Sequence, residues 1–200
     1  MAVQNFINYL LLEKKYSPNT VVAYQNDIEA FQSFLITDFS DAEVSKANYS
    51  QIRSWIVQLV DSNISNRTIN RKLSSLNSYY KFLLKTESIK INPLAKHKAL
   101  KVSKKIQIPF SEVEVSNVLK SIPTNTFEGL RDKLIVELFY STGMRRIELV
   151  QLQLEAVDLS QGQIKVVGKR NKERIIPLLP SVILTFQAYL SARLNLETIR

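Results

Sequence analysis

Ile69, Leu73, Leu76, Tyr80 and Leu83 follow one another at steps of four, three, four and three residues. Only an α-helix brings such positions onto one side, so this stretch must fold as a helix that buries that side. The same rhythm marks three earlier segments. Residues 2–15 carry Val3, Phe6, Ile7 and Leu10, with Lys14 and Lys15 in the last turn. A break at Ser17-Pro-Asn-Thr20 then offers an N-cap serine and a proline for the first helical position. The helix that follows shows Tyr24, Ile28, Phe31 and Leu35 and ends near Thr37. A third runs from about Asn48 to Val60, with Ile52, Trp55, Ile56 and Leu59 on one face, and Asp61-Ser-Asn63 turns the chain into the regular fourth helix. Trp55, Tyr79 and Tyr80 lie at helical spacing, which favours core packing over a role as exposed stacking platforms.

Off the fourth helix's stripe lie Arg67, Arg71 and Lys72, the first two one turn apart on a shared face. Such a face can be a solvated surface or can lie against phosphates. The next stretch, 89–108, holds Lys90, Lys96, Lys98, Lys101, Lys104 and Lys105 and breaks the helix at Asn92-Pro93. That composition suits a basic linker between a first domain at 1–88 and a second at 109–200. It suits equally a strand that wraps a duplex.

The second domain opens with Ser111 and Glu114 spaced as a capping box, predicting a helix to about Ser121. Thr126 to Ser141 gives another, with Leu130, Leu134, Ile135, Leu138 and Phe139 as its apolar stripe. Thr142-Gly143 stops it, glycine supplying the left-handed cap. Arg145 then stands near the start of a short helix to about Leu152, where a planar guanidinium can meet two oxygens of a phosphate. Residues 162–177 alternate as a hairpin: Ile164 and Val166 on one strand, a turn at Gly168-Lys-Arg-Asn-Lys172, and Glu173 to Ile176 returning. Lys165, Lys169, Arg170, Lys172 and Arg174 make it basic, which favours a facing anion. A last amphipathic helix runs from Pro180 to about Leu194.

The totals narrow the functional classes. The chain has 200 residues, with 27 Lys and Arg against 18 Asp and Glu, a net charge of +9. This excess points to a polyanion partner, nucleic acid ahead of anionic membrane, although an incidental basic surface carries the same sign. There is no cysteine and a single histidine, His97, so a disulfide framework, a thiolate zinc site and a histidine metal site are all excluded. No metal or cofactor is expected. No apolar run is long enough to span a bilayer and the N-terminus lacks the pattern of a secretory signal, so a cytoplasmic location is expected.

Three stretches resemble the tyrosine recombinases, the phage-integrase family with its Xer-like members. Tyr140-Ser-Thr-Gly-Met-Arg-Arg-Ile-Glu-Leu149 looks like the first catalytic box. Lys165-Val-Val-Gly-Lys-Arg-Asn-Lys-Glu-Arg174 looks like the hairpin that bears the catalytic lysine. Tyr16 to Tyr24, together with Asn66 to Leu73, is similar to the N-terminal helical bundle that clamps DNA. The resemblance covers nearly the whole chain. It implies a mainly α protein with a small antiparallel β hairpin or sheet: a SAM-like four-helix bundle followed by part of a catalytic domain. The family cuts and rejoins double-stranded DNA through a phosphotyrosine, without metal or ATP. By position, Arg145 would stabilise charge on the non-bridging oxygens and Lys169 would protonate the leaving 5′-oxygen. Glu148 would be structural, orienting the arginine region. Thr20, Tyr24, Arg67, Arg71, Lys72, Lys104, Lys105, Arg170 and Lys172 would contact DNA.

The chain departs from the pattern after Lys169. The family's His-x-x-Arg box and nucleophilic tyrosine have no counterpart, and Tyr189 lies beside Leu190 on a helix stripe and reads as core. The expectation is therefore a C-terminally truncated recombinase that binds DNA, is inactive in cleavage by itself and is monomeric when free, the complete protein forming a homo-tetramer on DNA. A natural non-catalytic short form competing for recombination sites is the alternative. A helical interaction scaffold whose charge serves solubility is a third.

Overall fold

The computed structural model describes residues 2–41, 43–104, 106–168 and 171–198. It divides into two compact units, Met1–Ile106 and Gln107–Arg200. In the first, α1 (Ala2–Asn8) runs into a wide π turn at Tyr9–Glu13. An unbroken α-helix was expected here. The wider turn keeps two adjacent residues on the bundle side: Leu10 is buried, and Tyr9 lies 5.0 Å from Phe82, ring centre to ring centre. Then come α2 (Pro18–Phe39), capped by Ser17, α3 (Tyr49–Asp61), whose Asn48 and Gln51 form a reciprocal capping box, and α4 (Asn66–Lys85).

The stripe that predicted α4 is fully used. Ile69, Leu73, Leu76, Tyr80 and Leu83 are all buried against Phe6, Ile28, Phe31, Leu35, Ile52 and Trp55. Tyr79 and Tyr80 are buried too, and the Tyr80 hydroxyl donates to the Val44 carbonyl at 2.9 Å. Trp55, Tyr79 and Tyr80 are thus core residues.

The basic stretch after α4 is tied to it. Asn70 donates to the Leu100 carbonyl and accepts from the Leu100 N–H, both at 2.9 Å. Asn66 donates to the Lys101 carbonyl at 2.8 Å, and Asn92 donates to Asn77. Leu94 is buried in the first core. A row of asparagines on α4 therefore holds residues 92–101 along the helix, and the lysines of that stretch travel with it.

The second unit places α5 (Glu112–Ser121) and α6 (Phe127–Thr142) before the short α7 (Arg146–Val150). Ser111 and Glu114 form the predicted capping box. The sheet has β1 (Val157–Asp158), β2 (Gln163–Val167) and β3 (Glu173–Pro177), antiparallel in that order. The hairpin of β2 and β3 was legible in the sequence; two-residue β1 was not. Helix α8 (Pro180–Thr198) follows. Leu134 and Leu138 of α6, Met144, Ile164 and Val166 of β2, and Val182 and Phe186 of α8 make the second core. Tyr189 belongs to it, its ring 5.4 Å from that of Phe127. No helix among the described residues is long and apolar enough to cross a membrane.

Gly129 sets the start of α6. A Cβ there would stand 1.7 Å from the Pro123 carbonyl oxygen, an overlap that only backbone movement relieves. Gly129→Ala is expected to destabilise the second unit by about 1–3 kcal/mol, measured as a lower urea midpoint. An unchanged midpoint would show that the Pro123 turn yields freely.

Candidate active site and nucleic-acid interface

The site grows from the end of α6. Gly143 takes the left-handed conformation at φ +61°, its N–H returning to the Phe139 carbonyl. Met144 then anchors in the core, so Arg145 leaves the turn pointing outward, in extended conformation, as the residue just before α7. Its backbone N–H donates to Glu148 Oε2 at 2.7 Å, and its guanidinium Nη1 donates to Glu148 Oε1 at 2.9 Å. The Arg145 side chain keeps 65% of its surface exposed while that of Glu148 keeps 1%. Arg146, by contrast, lines an apolar groove with Leu138, Leu149 and Phe186.

The partner that completes this arrangement is Arg174. Its Nη1 donates to Glu148 Oε1 at 2.7 Å and its Nη2 to Oε2 at 2.8 Å, a two-pronged grip from β3. The hydrogen bonds from Arg174, then the N–H of Arg145, hold the Glu148 carboxyl at about 2, outweighing burial, which pulls the other way. Of the five cations that make the hairpin basic, Arg174 is thus paired with Glu148. Lys165 is likewise paired, with Glu173 at 3.4 Å across the strands. Sequence alternation held the signal. Arg174 pairs with Val166 and Ile176 with Ile164, so Arg174 lies on the core-facing side of the sheet, where a charge needs a partner.

The loop between β2 and β3 closes with the Gly168 N–H on the Lys172 carbonyl at 2.7 Å. Lys172 is exposed. Lys169 and Arg170 lie outside the described residues, as does Lys105. Among the described residues no cluster of three or more His, Cys, Asp or Glu could hold a metal.

In the first unit Thr20, Tyr24 and Arg71 line one hollow between α2 and α4, together with Asn19 and Ser74. Thr20 shares a 2.8 Å hydrogen bond with the capping Ser17. The Tyr24 hydroxyl is pushed up, chiefly by burial. Arg71 is gripped from beneath by Asp27, whose side chain is 2% exposed: Nη1 and Nη2 lie 2.5 and 2.9 Å from its oxygens. Ser75 donates to the same carboxylate at 2.7 Å and Lys72 at 3.2 Å. Burial pulls the Asp27 carboxyl up, but these hydrogen bonds pull it down further, to a net lowering. The Lys72 side chain is only 19% exposed and lies over the Trp55 ring, so the structure gives it an internal partner rather than a free ammonium. Arg67 and Lys104 are exposed.

Two sequence families meet these two units. Residues 3–87 match the phage integrase N-terminal SAM-like domain and residues 109–198 the phage integrase family domain. The chain belongs to the phage integrase family. Among curated relatives, the tyrosine recombinase XerC of Thermodesulfovibrio yellowstonii is 35% identical over 96% of this chain and 62% of its own length. XerD of Rickettsia prowazekii is 33% identical over 96% of this chain and 63% of its own. XerC of Staphylococcus haemolyticus is 33% identical over 86% and 57%. The chain thus spans about three fifths of the length of these relatives. The fold is that of solved integrases. The Tn1549 transposon integrase in complex with transposon right end DNA gives a TM-score of 0.71 at 18% identity, over 93% of this chain and 63% of that one. A lambda integrase tetramer bound to a Holliday junction gives 0.70 at 17%, over 94% and 54%.

Because folding lowers the Glu148 carboxyl to about 2, its contribution to stability is complete above the ordinary carboxyl range, near pH 4.3, and is lost as pH falls from there towards 2. Glu148→Gln should lower the stability of the second unit at pH 7 and flatten its loss between about pH 4.5 and 2, followed by acid titration of circular dichroism. Identical acid profiles for the two proteins would contradict the pairing.

Proposed function

We propose that this chain is the DNA-gripping portion of a site-specific tyrosine recombinase, with Arg145 as its phosphate ligand. The observation that carries the reading is the Arg145 side chain: exposed, yet oriented by a buried carboxylate that a second arginine holds in place. A guanidinium so fixed can meet non-bridging phosphate oxygens without first losing rotamer freedom, which suits stabilising charge as it develops in a transition state. Lys169, in the loop that starts at Gly168, is the general acid of this proposal. In the first unit Thr20, Tyr24, Arg67 and Arg71 form the complementary contact to the duplex, with Lys104, Lys105, Arg170 and Lys172 as further phosphate contacts.

The relatives' names, tyrosine recombinases, and the DNA in the complexes of the structural neighbours support this reading. So does the net charge of +9. No histidine follows Lys169 in these 200 residues, and Tyr189 is packed on Phe127. In this reading the 200-residue chain binds duplex as a monomer and forms no phosphotyrosine. A complete recombinase built on it would act as a tetramer, in the cytoplasm.

Fluorescence anisotropy with a duplex oligonucleotide tests the reading. Affinity should fall steeply with salt, each neutralised phosphate adding about −0.9 to the log–log slope. Arg145→Ala should leave most of the binding, with that slope reduced by about one. Absent or salt-independent binding would sink the proposal. A covalent adduct on a nicked duplex would overturn the expected inactivity.

A further inference from the structure

We propose that Arg174 is a positioning residue for Arg145: it fixes the Glu148 carboxylate by a two-point grip, and that carboxylate fixes where the Arg145 guanidinium points. The geometry leaves little freedom. Oε1 of Glu148 accepts from Arg174 Nη1 and Arg145 Nη1, at 2.7 and 2.9 Å. Oε2 accepts from Arg174 Nη2 and the Arg145 N–H, at 2.8 and 2.7 Å. Each oxygen therefore serves both arginines, and the carboxylate cannot turn for one without breaking a bond to the other.

The hairpin is registered on the same atoms. A Cβ on Gly168 would lie 3.3 Å from Glu148 Oε1 and 3.4 Å from Arg174 Nη1, so a side chain at the start of the loop would crowd the ion pair. Arg174 thereby links two elements that are distant in sequence, the end of the α6–α7 turn and the β2–β3 hairpin. The charges facing Glu148 are Arg145 from the start of α7 and Arg174 from β3, while Lys165 of β2 stands on the other face of the sheet. Lys165 is paired there with Glu173. A lysine at 174 keeps the charge but offers no planar fork, so charge alone does not reproduce the grip.

The functional weight of this inference rests on Arg145 being a phosphate ligand; its geometry does not. The test is nitrogen-15 NMR of arginine guanidinium groups in the 200-residue chain. Unaltered, Arg145 should show slowed rotation and a signal that stays constant from pH 7 to about 3.5, because its acceptor remains ionised. In Arg174→Gln the Arg145 signal should titrate with a midpoint moved towards the ordinary carboxyl value of about 4.3. Arg174→Lys should restore the charge but only part of the slowed rotation. Persistence of the unaltered Arg145 signal in both variants would overturn the proposal. So would an Arg145 that rotates as freely as exposed Arg67 in the unaltered chain, or unfolding of the second unit in both variants, which would make Arg174 a stability residue only. A duplex that leaves Arg145 unshifted while Arg145 still answers to Arg174 would contradict the proposed function and sustain the positioning role.

Discussion

A carboxylate taken out of water must be matched by donors, and in the second unit Glu148 is matched four times over. Removing one arginine leaves a buried charge partly unanswered, which is far more costly than losing a surface ion pair. The carboxylate therefore dictates the positions of its neighbours. It determines how the chain leaves the Gly143 turn, how Arg145 is presented and how closely the hairpin backbone approaches. The second core below it, built on Leu138, Met144, Ile164 and Val166, is the platform that keeps the two elements within reach of that one group.

The first unit repeats the device with different residues. Asp27 of α2 lies almost wholly out of solvent and holds Arg71, Lys72 and Ser75 of α4. There too an exposed guanidinium is steadied from below by a hidden carboxylate. In both units an arginine that faces outward carries little of its own orientation. A planar fork bound along one edge retains donors on the other, and the bound edge reduces the freedom lost when an anion arrives. The asparagines of α4 extend the same logic to backbone, holding Leu100 and Lys101 so that a lysine-bearing strand follows the helix.

What the sequence made legible was local. The α4 stripe, the capping serines at 17 and 111, the Gly143 stop and the β2–β3 alternation each state a geometry within a few residues, and each is found where the spacing predicts. What stayed hidden was pairing at a distance. Asp27 meets Arg71 across 44 positions and Glu148 meets Arg174 across 26, and in a chain with 27 basic residues nothing local says which acid takes which base. Arg174 was within reach, because strand alternation puts it on the face of Ile176. Lys72, expected from its charge to contact DNA, has a partner the sequence did not show: its place on α4 brings it to Asp27 and over Trp55. The π turn in the first helix and two-residue β1 left no pattern that periodicity could detect.

The central claim, that Arg145 meets a phosphate of duplex DNA together with the arginine face of the first unit, is tested most directly by arginine-specific modification. The chain would be treated with phenylglyoxal with and without a duplex oligonucleotide, and each site quantified by mass spectrometry. The account predicts protection of Arg145 and Arg67 by the duplex and continued reaction at Arg53, which is exposed on α3 and is not among the proposed contacts. Equal modification of Arg145 with and without duplex would contradict it.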